Sequence, residues 1–423
     1  MSSKPFFTNK LLSDFIYLFS SNIVKKILGF VREILLAFFF GSSTFYANFL
    51  ILKTISDFFS QFTFGNALQA NLMPKFTKLY SLNVSLNLRK IFLFTKKISF
   101  RLFLFSQLIQ IPLIWIFNFD NKLIFVIIAV VLGLLISINF LNSIFLTIFQ
   151  SKGEFSKYSF ATTLNIFIST LLLYPLVIIL DLIGLAISRL IGVIILFLKY
   201  IKPLLLQNGK LKPNLNFGDF NLNLLMLGNF ATILILVGRF SASIDGGNDI
   251  TFFTYAIIIL STILNAIITN INTLVLKIIS IKKNLWLVLI STFISLIIGI
   301  ILVVIIEIFS IDIIKFIYER GAFNNNDTDN TAFFLRRLSW SFIFIFMATT
   351  LFQPFFTLDS DILRKHSKFL VLYFFLSFIS IVLFIFLNDY SNRINTIIIF
   401  QSLSVVYFFL SLKSLYIYRK YAV

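Results

Sequence analysis

Two uninterrupted apolar runs constrain this chain more than any other feature. LIFVIIAVVLGLLISINFLNSIFLTIF fills positions 123 to 149, and LWLVLISTFISLIIGIILVVIIEIF fills 285 to 309. Each exceeds the roughly 20 residues that carry an α-helix across a bilayer. Composition agrees: 59% of the 423 residues are hydrophobic and 13% are charged, whereas soluble domains carry about 25% charged residues. Long strictly alternating stretches are absent, so the runs read as helices rather than barrel strands. The expected fold class is an all-α polytopic membrane protein.

The hydropathy pattern predicts about twelve spans, near 11–40, 46–73, 92–118, 122–150, 157–180, 182–201, 220–243, 250–276, 285–309, 330–357, 367–388 and 394–416. Alternating the connections between two sides puts 21 of the 36 Lys and Arg on one side and 7 on the other. Positive charge marks the cytoplasmic side, so both termini are expected there. The same bias explains the net charge of +19 without a nucleic-acid partner. The stretch KYIKPLLLQNGKLKPNLNFGDFN, 199 to 221, holds two prolines and two glycines at mid-chain. It divides the chain into a six-helix half at 1–201, a cytoplasmic linker at 202–219 and a second six-helix half at 220–423. Two equal halves suit a transporter built from repeats.

Other chemistries are thinly supported. The chain has no Cys and a single histidine, His366, so disulfides, zinc clusters and His-based acid–base catalysis drop out. The largest outer loop, about 310 to 329, is short, and its Asp327 and Asp329 near Glu319 read as a helix cap rather than a catalytic dyad. The expectation is no enzyme, no cofactor and no metal. The first residues, MSSKPFFTNKLLSDFIYLFSSN, lack a small-residue cleavage site, so no cleaved signal peptide is expected.

Charge inside the first span carries the functional argument. VKKILGFVREILLAFFFG, 24 to 41, holds Lys25, Lys26, Arg32 and Glu33. The apolar stretch before the lysines is 14 residues long, and so is the stretch after them to Phe40. Neither spans alone, so at least one charged pair sits at membrane depth. Ser21, Lys25, Gly29 and Arg32 share one helical face, and Asn22, Lys26 and Glu33 form a second stripe about 100° away. Such a face turns to protein or water rather than lipid. The second span adds Lys53, Asp57, Ser60 and Gln61, with Asp57 four residues from Lys53. A buried ion-pair network that only fixes packing is one reading. A cationic hydrated cavity is the other, favoured by the excess of cations in the first helix. Fixed positive charge in a membrane cavity selects an anionic ligand, and Arg with Lys suits phosphate. Arg239, at the end of the seventh span, joins the candidate set. Lys96, Lys97 and Arg101 lie where snorkelling to a headgroup suffices.

The letters of that first helix resemble the signature of the MviN/MurJ family, the lipid II flippases of the wider multidrug/oligosaccharidyl-lipid/polysaccharide exporter superfamily. Leu28, Gly29, Phe30, Arg32 and Gly41 match, with Lys26 and Glu33 in place of an Arg and an Asp. The loop IYERGAFNNNDTDNTAFFL is similar to the family's loop before the tenth helix through Glu319, Arg320, Gly321, Ala322 and Phe323, then Asp327 and Thr328. FFTLDSDILRKHSKF resembles the next inner loop, and LVGRFSAS with the later TYA resembles the junction of the seventh and eighth helices, Arg239 included. Departures fall at Ala47, Ser56 and Asp57, Ser60 and Gln61, Gly65 and Asn66, and Ile257 and Ile258. A count of twelve helices is two fewer than these flippases usually carry.

The resemblance implies two six-helix halves around a central cavity and a polyprenyl-diphosphate-linked saccharide as substrate. That substrate would move from inner to outer leaflet of a bacterial cytoplasmic membrane by alternating access, for cell wall or surface polysaccharide biogenesis. Lys25, Lys26, Arg32 and Arg239 would hold the diphosphate, and Glu33, Lys53 and Asp57 would form cavity ion pairs. Gly29, Gly41, Glu319, Arg320, Gly321, Ala322 and Phe323 would be structural motif positions. The alternative is an ion-coupled multidrug-type exporter on the same fold, for which Asp57 is the candidate carboxylate. The coupling ion, if any, stays open.

Overall fold

The computed structural model describes residues 9–64, 72, 76–77, 79–80, 86–205, 222–244, 247–268, 271–272, 275–276, 279, 285–358, 360–387 and 391–422. These form α1 (Asn9–Phe40), α2 (Thr44–Phe64), α3 (Leu88–Ile116), α4 (Lys122–Ser151), α5 (Phe155–Leu171), α6 (Leu173–Leu196), α7 (Leu222–Gly228), α8 (Phe230–Ala242), α9 (Asp249–Ile263), α10 (Leu285–Tyr318), α11 (Asn325–Leu351), α12 (Ser360–Phe386) and α13 (Asn392–Ala422). No β-sheet occurs among the described residues. The chain is a multi-pass helical membrane protein. Among the described residues, α3, α4, α6 with its extension to Leu204, and α10 to α13 are long and apolar enough to cross a bilayer. Helices α8 and α9 are shorter and apolar, and α1 and α2 are helical although charge interrupts them. The linker at 202–219 lies outside the described residues beyond Leu205, as does the end of the second span beyond Phe64.

The helices differ from the expected spans mainly at their ends. Helix α10 runs nine residues past its expected end at 309, α11 starts at Asn325 rather than 330, and α12 starts at Ser360 rather than 367. Hydropathy marks the hydrocarbon slab, whereas a helix continues wherever caps and pairing sustain it. The start of α11 shows this: Asn324 and Asp327 exchange side-chain-to-backbone hydrogen bonds of 3.0 and 3.1 Å, a complete capping box, which satisfies two otherwise orphaned N–H groups. The seventh span is broken at Asn229 into α7 and α8. Helix α1 runs unbroken through Gly29.

The turn between the fifth and sixth spans falls where the sequence places it. Asp181 adopts φ 51° and ψ −133°, breaking α6 into two arms. The arms fold back so tightly that a Cβ on Gly184 would lie 2.0 Å from the Leu176 carbonyl oxygen. Close backbone approach through small residues is how membrane helices gain packing energy when the surrounding lipid is equally apolar.

The chain divides into two compact units. One comprises Met1–Leu36 with Ile55–Phe220, the other Ala37–Thr54 with Asn221–Val423. The second unit therefore takes in the end of α1, the turn and the start of α2. The first unit's core gathers Phe140, Ile144, Phe145, Ile148 and Phe149 of α4 around Leu88, Ile91, Leu196 and Ile201. Polar ties cross it: Ser99 and Ser137 hydroxyls lie 2.6 Å apart, Gln107 donates to the Ala129 carbonyl at 3.0 Å, and Asn142 to that of Val193 at 3.0 Å. The second unit's core is aromatic. Phe230 stacks on Phe374 at 4.6 Å and meets Tyr407 edge-on at 5.6 Å.

Candidate functional site

The motif from Lys25 to Gly41 divides at the unit boundary. Its last residues interlock with the ERGAF turn within the second unit. Gly41 has φ 50° and Gly321 has φ 62°, a region that L side chains enter only with strain. Each glycine also faces backbone. A Cβ on Gly41 would lie 2.4 Å from the Ala322 carbonyl oxygen, and one on Gly321 would lie 2.4 Å from that of Phe38. Glycine lets the two turns touch, and the Ala322 N–H then donates to the Phe38 carbonyl at 2.9 Å. The Tyr255 hydroxyl donates to the Gly41 carbonyl at 3.2 Å, and Ser42 donates to Asp327, the capping-box partner of Asn324 at the start of α11.

The remaining ERGAF residues brace this junction. Thr328 donates to Glu319 at 2.9 Å, with Lys315 3.9 Å from the same carboxylate. The Arg320 guanidinium donates to the Phe316 carbonyl at 2.9 Å. Phe323 is buried, 5.4 Å from the Tyr255 ring and 5.7 Å from that of Tyr318.

The charged part of the motif lies in the first unit. Ser21 hydrogen-bonds the Ser159 carbonyl and approaches the Thr163 hydroxyl at 2.8 Å. Four residues on, the Lys25 ammonium donates to the Thr162 hydroxyl at 3.3 Å and lies 5.9 Å above the Tyr158 ring. The first half of the face that Ser21, Lys25, Gly29 and Arg32 share therefore turns towards α5. Gly29 has nothing within 4 Å of where a Cβ would be, so the helix surface is open between the lysines and Arg32. Arg32 is buried at 8% exposure, and Lys26 and Glu33 are half-buried. The Glu33 Oε2 atom is buried without a hydrogen bond. Arg32 and Lys26 both engage other groups, as a cation withdrawn from water must.

The other candidates divide between the units. Asp57 is half-buried in the first, while Lys53, one turn earlier on α2, is buried in the second. Arg239 is buried in the second unit near the end of α8, beside Gly238, which packs against Phe253 and Phe400. Asp57, Lys53 and Arg239 each engage other groups.

Two groups of residues were not singled out in the sequence. Tyr158, Ser159, Thr162 and Thr163 face Ser21 and Lys25, and their signal is a hydroxyl pair repeated four residues apart. Arg393 makes a forked pair with Asp249 at 2.6 to 3.2 Å and donates to Asn330 at 2.9 Å, joining α13, α9 and α11. Nothing in the spacing of those three residues marks them as partners. No group of three or more metal-ligating side chains occurs among the described residues.

No protein family matches the chain as a sequence, and none of the curated proteins matches it. Solved structures do. A lipid II flippase, MurJ, in an inward closed conformation superposes with a TM-score of 0.74 at 19% identity, covering 94% of this chain and 87% of that one. An inward-facing multidrug resistance MATE transporter of the MOP superfamily gives 0.67 at 13% identity, over 94% and 96%. A MATE structure in the straight conformation gives 0.61 at 12% identity, over 96% and 95%. The chain has the fold shared by transporters of the MOP superfamily.

Proposed function

We propose that this protein is a flippase that carries a polyprenyl-diphosphate-linked saccharide from the inner to the outer leaflet of a bacterial cytoplasmic membrane. The observation that carries the proposal is the placement of Arg32, buried on α1 one open glycine surface away from Lys25 and Lys26. In this reading Arg32 offers a planar fork to one phosphate and the lysines act as point charges on the other. Arg239 is a further candidate phosphate-binding cation within the second unit. Likeness of fold to a lipid II flippase supports the choice of a lipid-linked substrate.

The two termini lie in the cytoplasm in this reading, as the bias of Lys and Arg supports. Moving a diphosphate outward across an inside-negative potential is favoured by roughly 2.3 kcal/mol per charge per 100 mV. The field then drives export through alternating access, provided the protein's own cations stay behind. The saccharide feeds cell wall or surface polysaccharide synthesis.

Arg32→Ala is expected to lower saccharide export in cells at least tenfold at normal protein level, with partial recovery in Arg32→Lys. Unchanged export in Arg32→Ala defeats the assignment. Likeness to MATE transporters favours one second reading, an ion-coupled exporter of small molecules with Asp57 as the coupling carboxylate. Drug resistance conferred on a pump-deficient host, and lost in Asp57→Asn, would favour that reading instead.

A further inference from the structure

The inner ends of α12 and α13 hold a cluster that transport of a saccharide does not use. Arg364, Lys365 and Lys368 lie in the first turns of α12, and Lys413, Arg419 and Lys420 in the last turns of α13; all six are exposed. The sequence assigns most of them to loops, but the longer helices hold them on two packed, rigid elements. Aromatic contacts fix their places. The Lys413 ammonium sits 4.0 Å from the centre of the Tyr373 ring, which bridges α12 and α13. His366 lies 5.4 Å from the Tyr421 ring, and Lys420 is 5.6 Å from the same ring. Among the described residues Asp361 is the one carboxylate on these turns. Cations gathered in excess of carboxylates repel each other unless an outside anion joins them.

The surface beyond the cluster indicates what that anion is attached to. Lys365, Phe369, Leu372, Leu376, Ile379 and Leu383 follow one another at intervals of three and four residues, a single stripe of α12. The five apolar members are each more than half exposed. The stripe starts at a cation and runs towards the bilayer centre, which matches a molecule with an anionic head and a hydrocarbon tail. Four of the six cations are lysines, compact point charges suited to a singly charged phosphodiester rather than to a forked grip on a diphosphate.

We propose that these paired ends form a docking site for an anionic glycerophospholipid. Its phosphodiester lies among Lys365, Lys413 and Lys420, and one acyl chain follows the α12 stripe. On the orientation proposed above, the lipid belongs to the inner leaflet. The site does not involve Arg32 and does not depend on what the protein transports.

Native mass spectrometry of the detergent-purified full chain tests this with phosphatidylglycerol, phosphatidylcholine of the same chains, and a polyprenyl diphosphate. The unaltered protein should retain phosphatidylglycerol at least tenfold more tightly than phosphatidylcholine. The triple variant Lys365→Gln, Lys413→Gln, Lys420→Gln should erase that preference. The variant Lys96→Gln, Lys97→Gln, Arg101→Gln, which removes equal charge from α3, should keep it. Independently of any substitution, the preference should fall as salt rises, because these cations are exposed. Equal loss in both triple variants overturns the site, because net charge alone then explains binding. So does a preference that persists in the Lys365, Lys413 and Lys420 variant or ignores salt. Tighter retention of the polyprenyl diphosphate, lost in that same variant, also overturns the phospholipid assignment.

Discussion

The two ends of α1 satisfy their polar groups in opposite ways. From Phe38 to Gly41 the partners are backbone and short side chains of the second unit. Carbonyls of Phe38 and Gly41 accept from Ala322 and Tyr255, and Asp327 serves both Ser42 and the cap of α11. From Ser21 to Glu33 the polar groups are long and charged, beside an open glycine surface and one long lysine contact to α5. The first arrangement is short, neutral for the most part, and intolerant of added atoms. The second costs desolvation. A site kept at a cost to stability is what a ligand-binding surface requires, whereas the interlock shows what the same helix looks like when stability alone is served. If that contrast holds, substitutions at the two ends should differ in sign as well as in size.

The largest effect is expected at the interlock. In Gly321→Val a side chain meets the Phe38 carbonyl at a positive φ, and left-handed strain plus overpacking amount to roughly 3 kcal/mol of destabilisation. Gly153→Val is the control, because Gly153 has φ 71° with nothing within 4 Å. It should lose only the strain, about 1–2 kcal/mol. Thermal unfolding in detergent compares them, and equal losses would mean that the close approach of the two turns contributes nothing. Asp327→Ala comes next. It is 2% exposed and supports both the capping box and Ser42, so a loss of about 2 kcal/mol is expected.

These elements also show what was legible in the sequence. The charged stripe of α1 could be read because period and span length are local properties. The turn at Asp181 could be read because an acidic residue interrupts an apolar run there. The cap at the start of α11 was read from Asp327 and Asp329, although Asn324 caps the helix and Asp327 completes the box. Helix ends were misjudged wherever charged turns extend beyond the hydrocarbon, as in α12, where Arg364, Lys365 and Lys368 are helical. The grouping of residues 37–54 with the second unit was hidden, because it depends on Gly41 meeting a turn some 280 positions away. So was the pairing of Lys25 with Thr162, since hydroxyls in a membrane helix are as often bonded to their own backbone.

At the charged end, Lys25→Met should break the pattern of the interlock. Removing a partly buried ammonium relieves desolvation, and Met fills similar space, so the unfolding temperature should hold or rise, a change within about 1 kcal/mol. Saccharide export should fall in the same variant. A drop in stability as large as that of Asp327→Ala would show that Lys25 is a structural tie, and the contrast between the two ends would fail.

Thr162→Val should produce the smallest change and separates the two roles of that hydroxyl. Its oxygen accepts from Lys25 at 3.3 Å while its own proton is directed to the Tyr158 carbonyl at 3.0 Å, one turn back in α5. The carbonyl keeps its helical N–H partner when the hydroxyl is lost, so only the interhelical bond disappears, about 0.6 kcal/mol in a membrane interior. Valine preserves the shape, and the Tyr158 ring still faces the ammonium. Lys25 then keeps its charge but loses its tether. If the lysine acts on the ligand, export in Thr162→Val should be reduced less than in Lys25→Met, with a shift in substrate affinity rather than loss of transport. Export reduced equally in both would mean that the tether, and not the charge, is what the first helix needs.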